Sequence, residues 1–334
     1  MIKQERKCGL KHDRHTKARC NERNERLMKI INADTIIDDG RLFNIKVIVH
    51  ICYHDVITSD INDDVDEMIA TLNRDYNNKA SNFNNYGKGY TGKNGDMQKY
   101  KEYIDLAGSA NIHFSLNKIV CKKLDLTKYS FIEKEMYNDG STEIADKIIK
   151  TGLSPSIDSD KNLNIWIVDG LGGGLLGYSS FPWDYSDETK MLDGVVINKN
   201  VFGKHPKTPE YNLNKTITHE VGHWFGLFHV FQDTLIDNVH RGEYAFNYKG
   251  GKLTKEETEG DCIEDTPYQS CATYGDPFSD DTLWKCSKYK NKKSWHMFMN
   301  FMDYVDDKSM FMFTKDQVKK LRLMTLAERP NIIQ

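Results

Sequence analysis

The spacing of hydrophobic and polar residues along the chain predicts several strands. Apolar runs rich in β-branched residues are typical of buried strands, and the longest is FNIKVIVHIC at 43–52. The run LNIWIV at 163–168 predicts a second strand that is fully buried. Further strands are expected at 112–120, 175–179 and 193–198.

Helical spacing of apolar residues predicts helices between and after these strands. The first is expected to begin near Asp60 and a short one to occupy 144–149. A third helix is expected at 216–228, and a last one begins at Thr314, where Thr-Lys-Asp-Gln fits a capping box. The segments 77–110 and 230–295 are polar and rich in turn formers, which predicts a surface excursion and a loop-rich region.

Composition excludes some functions and leaves the cellular compartment open. The chain has 334 residues, of which 39% are hydrophobic, and its net charge of −3 gives no basic field for nucleic acid. No apolar run is long enough to span a membrane, and the start of the chain lacks the apolar core of a signal peptide. Seven cysteines leave at least one thiol unpaired within the chain.

The segment THEVGHWFGLFH at 218–229 carries the strongest chemical signal. His219 and His223 lie four residues apart, on one face of a helix, so that both can bind one metal ion. Glu220 can reach a water molecule on that metal without being a ligand. Gly226 permits a sharp turn out of the helix, which brings His229 in as a third imidazole. Three imidazoles with one open position are typical of catalytic zinc.

Two simpler interpretations are weighed against this one. A bare HExxH motif also occurs in proteins that bind no metal, but the added glycine and third histidine are far more restrictive. The three glycines at 172–174 lack the spacing and the lysine of a phosphate-binding loop, so a flexible loop before the edge strand is favoured. The remaining histidines are expected on the surface or in the core.

A methionine-rich segment, MFMNFMDYVDD at 297–307, follows at the place where some zinc peptidases have a methionine turn below the metal. The alternative is that these methionines only fill gaps in the core. Together with HEVGHWFGLFHVFQ (219–232), GDCIEDTPYQ (260–269) and NFMDYVDD (300–307), the sequence resembles the pappalysin family of metzincins, and within it the small ulilysin-like members.

The resemblance covers roughly 40–330 and implies an α/β (α+β) metzincin fold. It implies a basic pro-segment at 1–38, an upper catalytic subdomain at 39–228 with a mixed twisted sheet, and a loop-rich lower subdomain at 229–334 that ends in a helix. It also implies that Met302 is the turn methionine and that Tyr304 donates a hydrogen bond to the substrate oxyanion.

The resemblance also implies a second metal and a latent form. Calcium is expected near Asp261, Cys262, Asp265 and Thr266, with a tight Asp-Thr-Pro turn as the alternative. Arg6-Lys7-Cys8-Gly9 resembles the pro-segment motif that places a thiolate on zinc, so we expect a cysteine switch that is released by cleavage before about residue 40. A lone cysteine in such a position can also be incidental.

Cysteine positions depart from the family pattern. The segments FQDTL (231–235) and DDKSM (306–310) lack the cysteines that the family usually has there, so the usual set of disulfides cannot form. One bridge among Cys262, Cys271 and Cys286 is still open. The resemblance predicts secretion, and we expect a monomer that acts on proteins or peptides.

Substrate binding is expected along the edge strand and beside the methionine turn. A substrate strand would pair with backbone groups of Leu175, Leu176, Gly177 and Tyr178. Asp306 and Asp307 would favour Arg or Lys after the cleaved bond, unless both are simply solvated. The competing functions are a non-proteolytic zinc amidase and a catalytically inactive binding protein that keeps the fold.

Overall fold

The structure is a computed structural model, which describes residues 36–53, 60–83, 97–124, 145–169, 171, 174–184, 186–203, 208–231, 261, 263–267, 269, 272–279 and 296–334. Its α-helices are α1 (Ile61–Asp75), α2 (Met97–Asp105), α3 (Lys215–Trp224) and α4 (Lys315–Glu328). Its strands are β1 (Phe43–Tyr53), β2 (Ile112–Lys123), β3 (Asn162–Val168), β4 (Gly177–Ser179), β5 (Val195–Asn198), β6 (Tyr274–Gly275) and β7 (Tyr304–Val305). Residues Ala145–Leu153 form a π-helical segment.

Within the described residues, a mixed sheet has the strand order β2-β1-β3-β5-β4. The first four of these strands run parallel, while β4 is antiparallel to β5 and lies at one edge. Parallel strands need cover on both faces, and every residue of β3 is buried. The α/β fold class is therefore confirmed.

The two faces of the sheet are covered by different elements. On one face, Val65, Met68 and Leu72 of α1 and Val221 of α3 join the main core with the inward residues of β1. On the other face, the π-helical segment packs Ile149 against β3 and β5. The active-site helix α3 thus lies on the same side as α1, below the edge formed by β4.

The predicted helix at 216–228 is shorter in the structure because the chain turns at Gly226. Helix α3 ends at Trp224, and Gly226 has a φ of +93°, which is the left-handed region that glycine tolerates. The amide of Leu227 donates to the carbonyl of Gly222 across this turn (2.9 Å). The turn itself was predicted, and it ends the helix four residues earlier than the predicted end at 228.

Two further predictions differ from the structure. The excursion predicted at 77–110 contains α2, in which Tyr100 and Tyr103 are buried. These aromatics, three residues apart among polar neighbours, gave too weak a periodic signal to be recognised. The edge strand begins at Gly177 rather than at residue 175, although Leu175 and Leu176 are buried directly before it.

The last helix matches its prediction and is tied to the rest of the fold by arginines. Thr314 and Gln317 form the expected capping box of α4. Arg322 donates to both carboxylate oxygens of Asp38 (2.6 and 2.7 Å), and Arg329 does the same with Asp193 (2.6 and 2.7 Å). The second pair is buried at both ends. No helix in the described part of the chain is long and apolar enough to cross a membrane.

Candidate active site

Three buried histidines meet at one point below the sheet edge. The Nε2 atoms of His219, His223 and His229 are 3.1, 3.1 and 3.2 Å from one another. All three residues are almost completely buried. The two helical histidines are brought together by the four-residue spacing on α3, and the turn at Gly226 returns the chain so that His229 faces them.

Backbone carbonyls fix how two of these imidazoles present their nitrogens. The Nδ1 of His219 is 2.7 Å from the carbonyl oxygen of Phe301, and the Nδ1 of His223 is 2.7 Å from that of Leu227. A carbonyl oxygen only accepts, so Nδ1 carries the proton and donates. The Nε2 lone pairs are therefore directed at the shared point, which is the arrangement that metal-binding histidines have with their outer partners.

The methionine turn lies directly below α3. A methyl group on Gly222 would come within 2.5 Å of the Met302 sulfur, so the two residues are in close contact. The backbone amide of Val230 also donates to the carbonyl of Met302 (3.3 Å). Met302 therefore packs against α3 one residue before His223, and its role as the turn methionine stays a prediction.

Glu220 and Tyr304 are the two other predicted catalytic residues. Glu220 is about 1% exposed and has the backbone of Gly177 in β4 against its side chain. The ring of Tyr304 is 4.9 Å from that of His229 and 5.7 Å from that of His219, measured between centroids. Tyr304 thus borders the histidine cluster, and Glu220, directly after His219 in α3, packs against β4.

Aromatic rings line one side of the cluster. Phe231 stacks on His229 with centroids 4.7 Å apart, and it meets Tyr304 edge to face at 4.7 Å. Tyr274 is 5.9 Å from Tyr304 and is 38% exposed. The short parallel pair of β6 with β7 places these two tyrosines at matching positions. Tyr274 and Phe231 were not singled out from the sequence, which has no periodic signal at either position.

A buried ion pair supports the first turn of α3. Lys215 donates to one carboxylate oxygen of Asp75 (2.6 Å), and the Thr218 hydroxyl donates to the other (2.7 Å). The next residue, Tyr76, donates its phenol to the carbonyl of Thr218 (3.1 Å). Burial raises the pKa of Asp75 despite its cationic partner. Sequence reasoning missed this contact because the two halves of the pair lie in different helices.

The two aspartates after the methionine turn are buried, so the alternative that they are simply solvated is wrong. Asp307 is about 1% exposed, and its Oδ2 accepts from the amides of Leu213 (2.9 Å) and Lys215 (3.2 Å). Asp306 is about 5% exposed, and its amide donates to the carbonyl of Gly275 (2.8 Å). Asp307 therefore faces the start of α3.

The predicted calcium segment brings carboxylates together next to α4. Asp261 accepts from the hydroxyl of Thr266 and from the amide of Ile263, while Asp265 accepts from the amide of Asp316 (3.0 Å). The Oδ2 of Asp261 and the Oδ1 of Asp265 are buried and have no hydrogen-bond partner. Burial raises the pKa of Asp261 to about 7 and that of Asp265 to about 6.

Several predicted residues cannot be placed. Cys8, Cys262, Cys271 and Cys286 lie outside the described residues, as does nearly all of the basic leader. Of the cysteines that the structure describes, Cys52 is buried and Cys121 is exposed, and both are free thiols.

The sequence pattern of the peptidase M43 family, described as pregnancy-associated plasma protein-A, matches residues 145–325. This match spans more than half of the chain and includes the whole histidine cluster. The chain belongs to this family, the pappalysins. The predicted resemblance is thus confirmed, and the predicted class, a metalloendopeptidase, agrees with it.

Curated relatives of this pappalysin include proteins named as extracellular metalloproteases. An extracellular metalloprotease of Pyricularia oryzae is 34% identical over 166 residues, which is 49% of this chain and 48% of that protein. One from Arthroderma gypseum is 36% identical over 163 residues, 48% of this chain and 47% of that protein. The chain spans about half the length of these relatives. An uncharacterized protein of Acanthamoeba polyphaga mimivirus is 26% identical over 98% of this chain and 37% of its own length.

Solved structures extend the similarity of this pappalysin to almost the whole chain. Mature mirolysin of Tannerella forsythia, in complex with a cleaved peptide, is 26% identical with a TM-score of 0.62 and covers 87% of this chain and 96% of its own. A promirolysin mutant from the same organism, 24% identical, has a TM-score of 0.68 and covers 96% of this chain and 93% of its own. The second comparison supports the fold alone.

Proposed function

We propose that the chain is a zinc-dependent endopeptidase that hydrolyses peptide bonds in proteins. The observation that carries this proposal is the convergence of three Nε2 atoms within 3.2 Å of one another, beside a buried glutamate and below an edge strand. The peptide-bound state of mature mirolysin, a structural relative, is consistent with a cleft that accepts extended peptides.

The histidine cluster fits a zinc ion. Three imidazole nitrogens with lone pairs directed at one point repel one another unless a cation lies between them, and Zn²⁺ takes three such ligands in catalytic sites. Nδ1 donation to the carbonyls of Phe301 and Leu227 keeps two of the imidazoles in the required tautomer. When bound, zinc supplies Lewis acidity that activates the scissile carbonyl and a neighbouring water molecule.

The chain's own residues supply proton transfer and charge stabilisation. Glu220 accepts a proton from the attacking water through its carboxylate and then donates it to the nitrogen of the leaving amine. The phenol of Tyr304 donates a hydrogen bond to the oxygen on which negative charge develops, so it acts mainly in the transition state. The ring of Tyr304 borders two of the histidines, and Glu220 directly follows His219 in α3 and lies against the edge strand, which supports these roles.

Substrate would bind as an added strand along β4. This strand lies at the edge of the sheet, next to α3, and pairs only with β5 among the described strands. Backbone groups of Gly177 and Tyr178, preceded by Leu175 and Leu176, would pair with the peptide on either side of the cleaved bond. The cleft would divide an upper subdomain at 39–228 from a lower one at 229–334.

We propose a preference for Arg or Lys at P1′, the substrate position directly after the cleaved bond. Asp306 and Asp307 follow the methionine turn and would supply the acidic wall of this pocket, and Asp307 also accepts from the amides of Leu213 and Lys215. A carboxylate that is largely withdrawn from water pairs strongly with a guanidinium group. A peptide library that showed an apolar P1′ preference would contradict this part of the proposal.

Calcium is proposed at the segment that contains Asp261, Cys262, Asp265 and Thr266. Two buried carboxylate oxygens without hydrogen-bond partners suit a hard cation, which prefers oxygen ligands. The raised pKa of each carboxyl group has burial as its main cause, which outweighs the neighbouring Lys320 at Asp261 and Lys315 at Asp265. These observations favour a metal over the simple tight turn.

A latent form is proposed in which the Cys8 thiolate binds the zinc ion. Removal of the basic leader at 1–38 would release it. The Cys8→Ala variant is expected to be active without cleavage. If it were as inactive as the full-length protein, the cysteine switch would be dropped.

We also propose secretion, in line with the extracellular relatives, and a monomeric state. Cleavage of an internally quenched peptide with a central arginine tests the proposed activity. We expect the zinc-loaded chain without its leader to cleave this peptide. A chelator should stop the cleavage, and added zinc should restore it. The Glu220→Gln variant is the matched control, because it keeps the metal ligands and removes the base. Equal activity of this variant would refute the proposed mechanism.

A further inference from the structure

We propose that Gly177 is a positioning residue for the base, Glu220. Because Gly177 has no side chain, the Glu220 side chain can pack directly against the backbone of β4. This inference rests on the proposed function. The backbone of β4 would then have two roles: it pairs with the substrate, and it determines the position of the Glu220 carboxylate.

The packing at Gly177 leaves no room for a methyl group. A Cβ at this position would be 2.9 Å from Cγ of Glu220, 2.9 Å from the carbonyl oxygen of Val196 and 3.0 Å from Cδ1 of Ile197. Real Cβ atoms essentially never approach other heavy atoms below 3.0 Å. The backbone conformation does not demand glycine, because Gly177 is not among the glycines with positive φ. Glycine is therefore required for space.

The strand cannot simply move away from the helix. Just before it, the amide and side-chain nitrogen of Asn198 donate to the carbonyls of Leu176 (2.9 Å) and Leu175 (3.1 Å). Just after it, the amide of Ser180 donates to the carbonyl of Gly194 (3.1 Å). These bonds pin β4 at both ends, in addition to its pairing with β5.

Of the atoms that a methyl group would meet, Glu220 Cγ belongs to the base itself. The other two belong to β5, whose backbone is held in the sheet. Helix α3 is also fixed, by Asp75 at its first turn and by Met302 below Gly222. A larger residue at position 177 would thus push the Glu220 side chain to another rotamer, and a base that is displaced by about 1 Å can lose about 100-fold in rate.

The test is the Gly177→Ala variant of the leader-free, zinc-loaded chain. We expect kcat to fall by about ten-fold to 100-fold with KM changed by less than about three-fold, since the outer edge of β4 still pairs with peptide. Bound zinc should stay at the wild-type level. Gly152→Ala is the matched control: nothing lies within 4 Å of its Cβ position, so its kcat and KM should equal those of the wild type.

A second variant separates displacement of the base from distortion of the strand. Ile197→Val removes Cδ1, one of the three atoms that the added methyl group meets. In the double variant Gly177→Ala/Ile197→Val we expect part of any lost thermal stability to return while kcat stays low. If kcat returned together with stability, the loss would come from the strand, and the inference would be overturned.

A crystal structure of Gly177→Ala keeps the inference testable even if the wild type cleaves no peptide. The expected result is a Glu220 side chain that is displaced by about 1 Å or has changed rotamer. An unmoved Glu220, or a wild-type kcat in an active enzyme, would overturn the inference and leave the proposed function intact. A wild type that cleaves nothing would overturn the proposed function and with it the role of Glu220 as a base, while the crystal structure would still show whether Gly177 sets the position of that side chain.

Discussion

The carboxylate of Asp307 accepts a hydrogen bond from the amide of Lys215, 92 residues earlier in the chain (3.2 Å). It does so because the residue at the start of the helix, Asn214, has a φ of +58° and provides no side-chain cap. The segment that contains the methionine turn thus forms hydrogen bonds with α3 at more than one point along the helix. Asp307 caps its start, and the carbonyl of Phe301 holds His219.

Loss of this cap should weaken the fold and the metal site together. Asp307→Ala is expected to lower the free energy of unfolding by about 1–2 kcal/mol, because it leaves the amides of Leu213 and Lys215 without their acceptor. Asp307→Asn keeps an acceptor oxygen and should cost less. Urea denaturation measures both. Equal stability of Asp307→Ala and the wild type would show that the contact contributes nothing.

Breaking the buried pair of Asp75 and Lys215 should greatly lower the free energy of unfolding, whereas replacing both residues with apolar ones should change it little. Asp75→Leu alone leaves the Lys215 ammonium buried without its partner and is expected to cost about 3–5 kcal/mol of unfolding free energy. The double variant Asp75→Leu/Lys215→Met should recover most of that loss, since apolar residues of similar size can replace a buried pair. If the double variant were as unstable as the single one, hydrogen bonding to Thr218 would be the dominant contribution.

The buried His296 should contribute a loss of fold stability in mild acid. Its side chain is buried, its Nδ1 is 2.8 Å from the hydroxyl of Thr273, and burial lowers its pKa from 6.5 to about 4. In the unfolded chain this imidazole binds a proton below about pH 6.5, whereas in the folded chain it does so only near pH 4. The contribution of His296 to the free energy of unfolding therefore falls as pH drops through this window.

Three buried aspartates oppose His296 in the same window. Burial raises the pKa of Asp261 to about 7 and those of Asp265 and Asp303 to about 6, which favours the folded state as pH falls. The His296→Gln variant removes only the histidine contribution, so its unfolding free energy should rise relative to that of the wild type between pH 6.5 and pH 4. Unfolding free energies measured across this range check the sign, and parallel curves would contradict the assignment.

Calcium should stabilise the chain through Asp261. We expect added calcium to raise the melting temperature of the wild type, since a ligand that binds only the folded state adds stability by mass action. Asp261→Asn should lose most of this increase, because the buried Oδ2 of Asp261 is one of the proposed ligand atoms. Asp187→Asn is the control, since the Asp187 side chain is 98% exposed and lies outside the segment. An unchanged calcium effect in Asp261→Asn would place the ion elsewhere.

Local sequence signals predicted the parts of this protein that depend on local spacing. The histidines at 219 and 223, the turn at Gly226 and the capping box at Thr314 each follow from residues a few positions apart, and the structure places all of them as expected. The long strand β1 was equally clear, because its apolar run is unbroken by turn formers.

What the sequence did not show are the contacts between distant segments. Asp75 meets Lys215 across 140 residues, and Asp307 meets Lys215 across 92, which no periodic pattern can reveal. The space requirement at Gly177 was hidden for the same reason. The sequence predicts Gly177 in the edge strand after a glycine-rich loop, but only the tertiary fold brings Glu220 against it.

Anomalous diffraction at the zinc edge, from crystals of the zinc-loaded chain, tests directly whether the three histidines bind zinc. We expect one strong peak among the Nε2 atoms of His219, His223 and His229, at about 2.0–2.1 Å from each. A His229→Ala variant should bind zinc far more weakly. If the metal lay elsewhere, or if the three imidazoles enclosed no metal at saturating zinc, the assignment of this site as a zinc centre would be contradicted.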